Sequence, residues 1–493
     1  MQLNIKSLQD IMRNDAGVNG DAQRVEQIAW ILFLKMYDYY EKKWSTDEAL
    51  KMREYSSVLP PELKWSAWAK DGKFAKTGDE LLEFVNFTLF PTLKNLAIDE
   101  NTSANKSIVK KVFTDTNNYM KDGYLLRELV NQIDKAIVLE TKENVEELHQ
   151  FYESFLKILQ SAGNAGEFYT PRALTDAIMR VLKPTPKDTI ADFACGTGGF
   201  FTSAFYYLME QSPTAEQKTA ISQAFYGIEK KSLPFILCAT NFLINGIEVP
   251  NLKHDNAFDF ANFAELLHAP KFNIIAMNPP YGGSEKQGIA SKFPRAYRSS
   301  ETADLFMALI TERLAPKGRA AVVLPDGFLF GNDDAKINLK KRLLSDFDLH
   351  TILRLPSGVF APYTSIATNV LFFEHAPQGT AHTSFYRLDM PEGVKSFSKT
   401  RPMQLAHFEP FFAWLETRGD LPEANGNFKA KTYSKAELIA CGYNFDLCGF
   451  VSEQEEVLEP FELISQIKTE RERLNATLDA LMSEISELIK ENQ

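Results

Sequence analysis

Cysteine is scarce in this chain. Cys195, Cys238, Cys441 and Cys448 are scattered, with no C-x-x-C pair, which argues against a zinc site and against a disulfide framework; no bound metal is expected. No run of about 18 uncharged apolar residues occurs, and no basic segment at the N-terminus leads into an apolar stretch. Neither a membrane span nor secretion is therefore expected, and a reducing cytoplasm fits best. Positive charge is also short: the net charge is -11, the wrong sign for a protein that grips nucleic acid alone, because phosphate contacts supply most non-specific affinity. Any DNA contact must be local or shared with a partner.

Apolar mass is plentiful. With 493 residues, 44% of them hydrophobic, the chain has material for two or three domains, each with a sizeable core. Val25, Ile28, Ala29, Leu32, Phe33, Met36, Tyr37 and Tyr40 recur at helical spacing. Leu125, Leu129, Ile133 and Ile137 make a second stripe. Val145, Leu148, Tyr152, Phe155, Leu156 and Leu159 make a third, closed by Gly163. Residues 1–160 thus read as an all-helical domain, and packing alone explains these stripes.

Chemistry begins where the helices stop. In Gly166-Glu167-Phe168-Tyr169-Thr170-Pro171-Arg172, Thr170 reads as a helix N-cap and Pro171 as the first helical residue. Free amides at that N-terminus, with Glu167 and two aromatics before it, suit an anionic or zwitterionic ligand; a well-capped structural helix is the alternative. A strand from Thr189 to Phe193 then runs into Ala194-Cys195-Gly196-Thr197-Gly198-Gly199 and a helix. Strand, glycine loop and helix in that order let backbone amides approach a ligand. Asp192 just before the loop, and Glu229 closing a second strand from Phe225, strengthen the pattern, because an acidic residue there can bind ribose hydroxyls. The lysine of a Walker loop is missing, which disfavours a phosphate-clamping NTPase. The pocket suits a nucleoside bearing a positive or neutral group.

The rhythm repeats. A short strand ends at His254-Asp255-Asn256, where Asp255 either accepts from an adenine amino group or merely starts a turn. A buried strand, Phe272 to Met277, delivers Asn278-Pro279-Pro280-Tyr281 to its end, the edge where open α/β sheets bind ligands. The following loop, Gly282 to Ser300, carries Lys286, Lys292, Arg295 and Arg298, either a local basic cluster for phosphates or a solvated segment. Strands at Gly318 to Pro325, Leu349 to Leu355 and Ile366 to Phe373 complete an α/β doubly wound, mostly parallel sheet that ends in a hairpin. From Leu458 to Leu488, leucines and isoleucines at heptad-like spacing among charges indicate a long amphipathic helix or coiled coil that needs a partner face.

Taken together, Gly166 to Arg172, Asp192 to Phe200, Glu229, Asp255 and Asn278 to Tyr281 resemble the S-adenosylmethionine-dependent amino-methyltransferases of DNA. The helical N-terminal domain, G-E-F-Y-T-P-R and the helical tail are similar to the modification subunit of type I restriction-modification systems. The resemblance covers nearly the whole chain, with residues 375–450 and the tail matching only in general character. Phe193 stands where the family more commonly has proline.

The resemblance implies a seven-stranded methyltransferase sheet and three regions: a helical domain at 1–160, a catalytic domain at 161–420, and a C-terminal region at 421–493. S-adenosylmethionine is the implied cofactor, lined by Glu167, Phe168, Tyr169, Thr170, Pro171, Arg172, Asp192, Gly196, Thr197, Gly198, Gly199, Glu229, Asp255 and Asn256. Asn278, Pro279, Pro280 and Tyr281 are the implied catalytic residues, acting on the N6 amine of an adenine flipped out of double-stranded DNA. Tyr281 stacks on its ring. Phe360 is a candidate for the base's other face, or a core residue capping the sheet. Implied partners are a specificity subunit docked through the C-terminal helix and a second copy of the chain, with room for a restriction (nuclease or translocase) subunit. A protein glutamine amide methyltransferase and a non-catalytic scaffold are the alternatives.

Overall fold

The computed structural model describes residues 4–482 apart from 73–74, 99–101, 103, 139–141, 160–168, 212, 248–250, 362–363, 365, 395, 399–400, 450–467, 470, 477 and 480. Residues 1–448 form one compact unit and 449–493 a second. In the second, the described residues between 468 and 482 are helical, with Leu474, Leu478, Leu481 and Met482 exposed. No described helix is long and apolar enough to cross a membrane.

The N-terminal part is helical, as the periodicity predicts. Its longest helix, Asp21–Leu50, departs from the one-sided stripe expected of it: Trp30, Ile31 and Leu34 are buried as well as Val25, Ile28, Ala29, Leu32, Phe33, Met36 and Tyr37. A helix apolar on all sides is enclosed on all sides. This one has the N-terminal helices on one flank and the Ser232–Ile244 helix of the sheet region on the other.

Among the described residues the sheet has ten strands, not seven. They are β1 (Ile190–Asp192), β2 (Phe225–Glu229), β3 (Asn251–His254), β4 (Phe272–Met277), β5 (Leu314–Pro325), β6 (Phe347–Arg354), β7 (Thr368–His375), β8 (His382–Arg387), β9 (Leu421–Pro422) and β10 (Phe428–Ser434), in the spatial order β3-β2-β1-β4-β5-β7-β6-β8-β10-β9. The run β3-β2-β1-β4-β5 is parallel. Beyond it β7 is antiparallel to both β5 and β6, β8 is parallel to β6, and β10 is antiparallel to β8 and β9. The three additional strands escape a reading by pattern for a physical reason. β10, Phe-Lys-Ala-Lys-Thr-Tyr-Ser, alternates lysine with other residues and fully buries only Ala430, as suits a strand near a sheet edge.

Side chains alternate between the two faces of the sheet. Ile274, Ala276, Ala321, Val323, Val370 and Phe372 join the core shared with the N-terminal helices. Ile275, Met277, Ala320, Val322, Leu371 and Phe373 join a separate core with helices Thr302–Arg313 and Asp334–Asp346. Two covered faces explain why β4 is apolar at every position from Ile274 to Met277.

Candidate active site

β3, β2, β1 and β4 lie side by side and parallel, so their C-terminal ends bring Asp255, Glu229, Asp192 and Asn278 to one edge of the sheet. The glycine loop leaves β1 with Gly196 and Gly198 in the left-handed region, φ +53° and +81°. A Cβ at Gly196 would meet nothing within 4 Å, whereas one at Gly198 would lie 2.8 Å from Cys238 Sγ. One glycine thus borders open space and the other is pressed onto the helix beneath. Cys195 and Cys238 are free thiols with sulfurs 4.0 Å apart.

The acidic residues already hold the loop. Glu229 Oε2 accepts from the Gly196 amide at 2.9 Å and Oε1 from the Lys231 amide at 2.7 Å. Asp192 accepts from the Ala194 amide at 3.0 Å and is 2% exposed. Burial raises its carboxyl to about 8; the Ala194 amide opposes the rise, and the nearby Glu229 charge adds to it. Because the folded value lies above the unfolded one, this group's contribution to stability is complete below about pH 4 and is lost as pH rises through about 8. Urea midpoints of the wild type should therefore fall between pH 5 and pH 9. Asp192→Asn, which keeps an acceptor for Ala194, should flatten that dependence by a few kcal/mol, on the order of what such a shift allows.

Asp255 is exposed, and its Oδ1 accepts from the Asn256 amide at 2.7 Å. Asn256 Oδ1 in turn accepts from the Phe258 amide at 3.0 Å, so the pair does form the turn that its composition suggests.

Thr170 does not cap its helix. The Arg172–Leu182 helix has Pro171 at the N-cap position, with no side-chain cap, and the amides of Leu174 and Thr175 donate to the Pro171 carbonyl. The Thr170 hydroxyl instead accepts from Asn278 Nδ2 at 3.1 Å. Its neighbours are tied down: the Tyr169 hydroxyl donates to Glu153 at 3.0 Å, and Arg172 bonds Thr202 at 2.6 Å and pairs with Asp176 at 3.1 Å. Glu167 and Phe168 lie outside the described residues.

At the end of β4, Asn278 Oδ1 is shielded from solvent and accepts no hydrogen bond from the described residues. An unmet buried acceptor costs about 1–3 kcal/mol, so a donor is wanted there. Tyr281 is buried and meets Phe360 edge to face, with ring centroids 6.2 Å apart at 76°. Phe360 itself is only 2% exposed. The basic loop that follows is folded: residues 284 and 301 form a bridge, Lys292 and Arg298 donate to the carbonyls of Phe258 and Phe293, and Lys286 and Arg295 stay exposed. The Phe193 ring packs in the second core, where the Arg313 guanidinium lies 5.0 Å from it.

This edge belongs to a wider pattern. The N-6 DNA methylase model matches residues 143–458, and the HsdM N-terminal domain model matches residues 1–133. The chain belongs to the N-6 DNA methylase family. The methylase subunit of the Escherichia coli type I restriction enzyme EcoEI is 43% identical over 475 residues, 95% of this chain and 94% of that one. The EcoKI methylase subunit of E. coli K12 is 30% identical over 405 residues, 78% and 71% of the two chains. A solved Vibrio vulnificus modification subunit, assigned to a type I restriction enzyme, superposes with a TM-score of 0.77 at 35% identity, over 89% of this chain and 94% of that one. Within the N-6 DNA methylases the protein is therefore a type I methylase subunit, an adenine-specific DNA methyltransferase.

Some residues of this methylase's site were not visible in its motifs. Asn241 Nδ2 donates to the Thr197 carbonyl at 2.9 Å and so holds the glycine loop from below. Its signal was an amide within the otherwise apolar helix Ser232–Ile244, where it is 3% exposed. Glu153, which anchors Tyr169, comes from the Lys142–Leu159 helix and carried no signal at all.

Proposed function

We propose that this methylase uses S-adenosylmethionine to methylate the N6 amine of an adenine flipped out of DNA, as the modification subunit of a type I restriction-modification complex. The unmet acceptor Asn278 Oδ1 carries the reading. It stands at the sheet edge beside an acidic glycine loop and a buried tyrosine ring.

The residues present fit the cofactor. Open space beside Gly196 leaves room for a ligand at the loop, and the Glu229 side chain beside it suits a cationic nucleoside better than a polyphosphate. Glu229 would take the ribose hydroxyls with its remaining lone pairs, and Asp255 and Asn256 would flank the cofactor's adenine. Thr197 to Gly199 and the segment ending Tyr169-Thr170-Pro171-Arg172 would line the remainder. When bound, S-adenosylmethionine supplies an electrophilic methyl group on a sulfonium.

The chain's own task is to make a poor nucleophile attack. An aromatic amine has its lone pair delocalised into the ring; acceptors at Asn278 Oδ1 and the Pro279 carbonyl draw its hydrogens out of the plane and aim the pair. Pro279 and Pro280 have restricted φ and no backbone N–H to compete for those acceptors. Tyr281 stacks on the base and offsets part of its unstacking cost, while the edge of Phe360 fixes the tyrosine ring. Lys286 and Arg295 offer local contacts to phosphate. A specificity subunit on the C-terminal helix would choose the sequence; exposed Leu474, Leu478 and Leu481 at helical spacing support such docking. The N-terminal domain would close over DNA or meet a second copy.

Incubation with methyl-labelled S-adenosylmethionine and unmodified chromosomal DNA, followed by nucleoside analysis, tests the reading. Label in N6-methyldeoxyadenosine is the expected result. Label in protein glutamine, or no binding of the cofactor by calorimetry, would replace it with one of the alternatives.

A further inference from the structure

A primary amide has an acceptor end and a donor end of nearly the same shape, so packing alone does not choose which end meets a ligand. For Asn278 the choice matters. With Nδ2 toward the target, N–H would face N–H and the amine would find no acceptor on the side chain. In the structure Nδ2 donates to Thr170 Oγ1 at 3.1 Å, and the Tyr281 hydroxyl is another hydrogen-bonding neighbour of this amide. The reverse orientation would give up the 3.1 Å bond to Thr170 and turn both amide hydrogens toward the N–H groups of the amine to be bound. That is worse than one unmet acceptor.

Thr170 is well placed to enforce the choice. Pro171 after it has φ -54°, and Tyr169 and Arg172 on either side are anchored to Glu153 and to Thr202 and Asp176. A Cβ built on Gly199 would come within 3.9 Å of the Thr170 carbonyl, so the start of the helix after the glycine loop lies directly against it. Thr170 therefore sits between the cofactor loop and the end of β4.

We propose that Thr170 is a positioning residue whose hydroxyl holds the Asn278 amide nitrogen and so reserves Oδ1 for the adenine amine. The inference rests on the function proposed above and adds to it a device by which the segment lining the cofactor sets the acceptor geometry at the base. Thr170 then acts through Asn278 and not on the reacting atoms.

The test compares Thr170→Val, Thr170→Ala and Thr170→Ser in the full chain within its assembled methylase, with unmodified chromosomal DNA. At saturating S-adenosylmethionine, Val and Ala should each lower the transfer rate about 10- to 100-fold, the loss expected when one orienting hydrogen bond is removed. The loss should persist however much cofactor is added, and serine should recover most of the rate. Ala covers the case in which Val fails to fold. An unchanged rate, a loss that saturating cofactor restores, or a serine variant as slow as alanine would each overturn the proposal. A wild type that makes no N6-methyldeoxyadenosine would instead fail the functional reading, before any variant is compared.

Discussion

Asn278→Ala should lose at least about 100-fold to 1000-fold in methyl transfer, the range typical for removing one preorganised polar group from a reacting centre, while S-adenosylmethionine binds within about threefold of wild type. The asymmetry follows from position. The side chain leaves the end of β4, three residues before Tyr281, and its 3.1 Å hydrogen bond runs to Thr170 and not into the glycine loop. On the proposed mechanism it serves the amine and leaves the methyl donor alone. Single-turnover transfer of label to DNA, with calorimetry on the same preparation, separates the two quantities. Parallel losses of rate and cofactor affinity would mean that Asn278 is part of the cofactor pocket.

The second large effect belongs to Gly198. Alanine there must adopt φ +81° and place its Cβ 2.8 Å from Cys238 Sγ and 3.3 Å from the Phe242 ring. Backbone strain and overpacking together cost about 2–4 kcal/mol, and the shifted loop should bind S-adenosylmethionine at least about tenfold more weakly. Gly196→Ala is the informative contrast. Its backbone is also left-handed, at φ +53°, but its Cβ meets nothing, so stability should fall by only about 1 kcal/mol while the methyl group intrudes on the ligand's side. Cys238→Ala, by removing the sulfur, should recover part of the stability lost in Gly198→Ala and none of that lost in Gly196→Ala. Thermal unfolding and calorimetry on the four variants decide it; identical behaviour of the two glycines would refute the distinction.

The legible half of the molecule is the half in which chemistry sits at strand ends. Asp192, Glu229 and Asn278 each close an apolar strand and Asp255 follows the short, more polar β3, and adjacent parallel strands then gather them without further information. What the motifs could not convey was pairing out of sequence order: β8 returns beside β6, and β10 beside β8, through strands too polar to stand out. Thr170 failed for a different reason. Thr-Pro has the composition of a cap followed by a first turn, but the Pro171 carbonyl begins the helix ladder one residue later than expected, which frees the hydroxyl for a partner 108 residues away in sequence. Asn241 and Glu153 act on the site from helices, where no turn or glycine marks them.

The helix Ser232–Ile244 ties the glycine loop to the N-terminal helices. It begins just after Glu229, carries Cys238 beneath Gly198 and Asn241 beneath Thr197, and buries every residue from Pro234 to Ile244, with its outer flank covered by the Asp21–Leu50 helix. Heredity divides this protein between residues 133 and 143, where one family model ends and the other begins; folding does not. A fragment starting at that seam would bare an apolar helix whose opposite side supports the methyl donor's loop. Transplanting the catalytic part without its first 133 residues would thus remove the footing of the cofactor pocket.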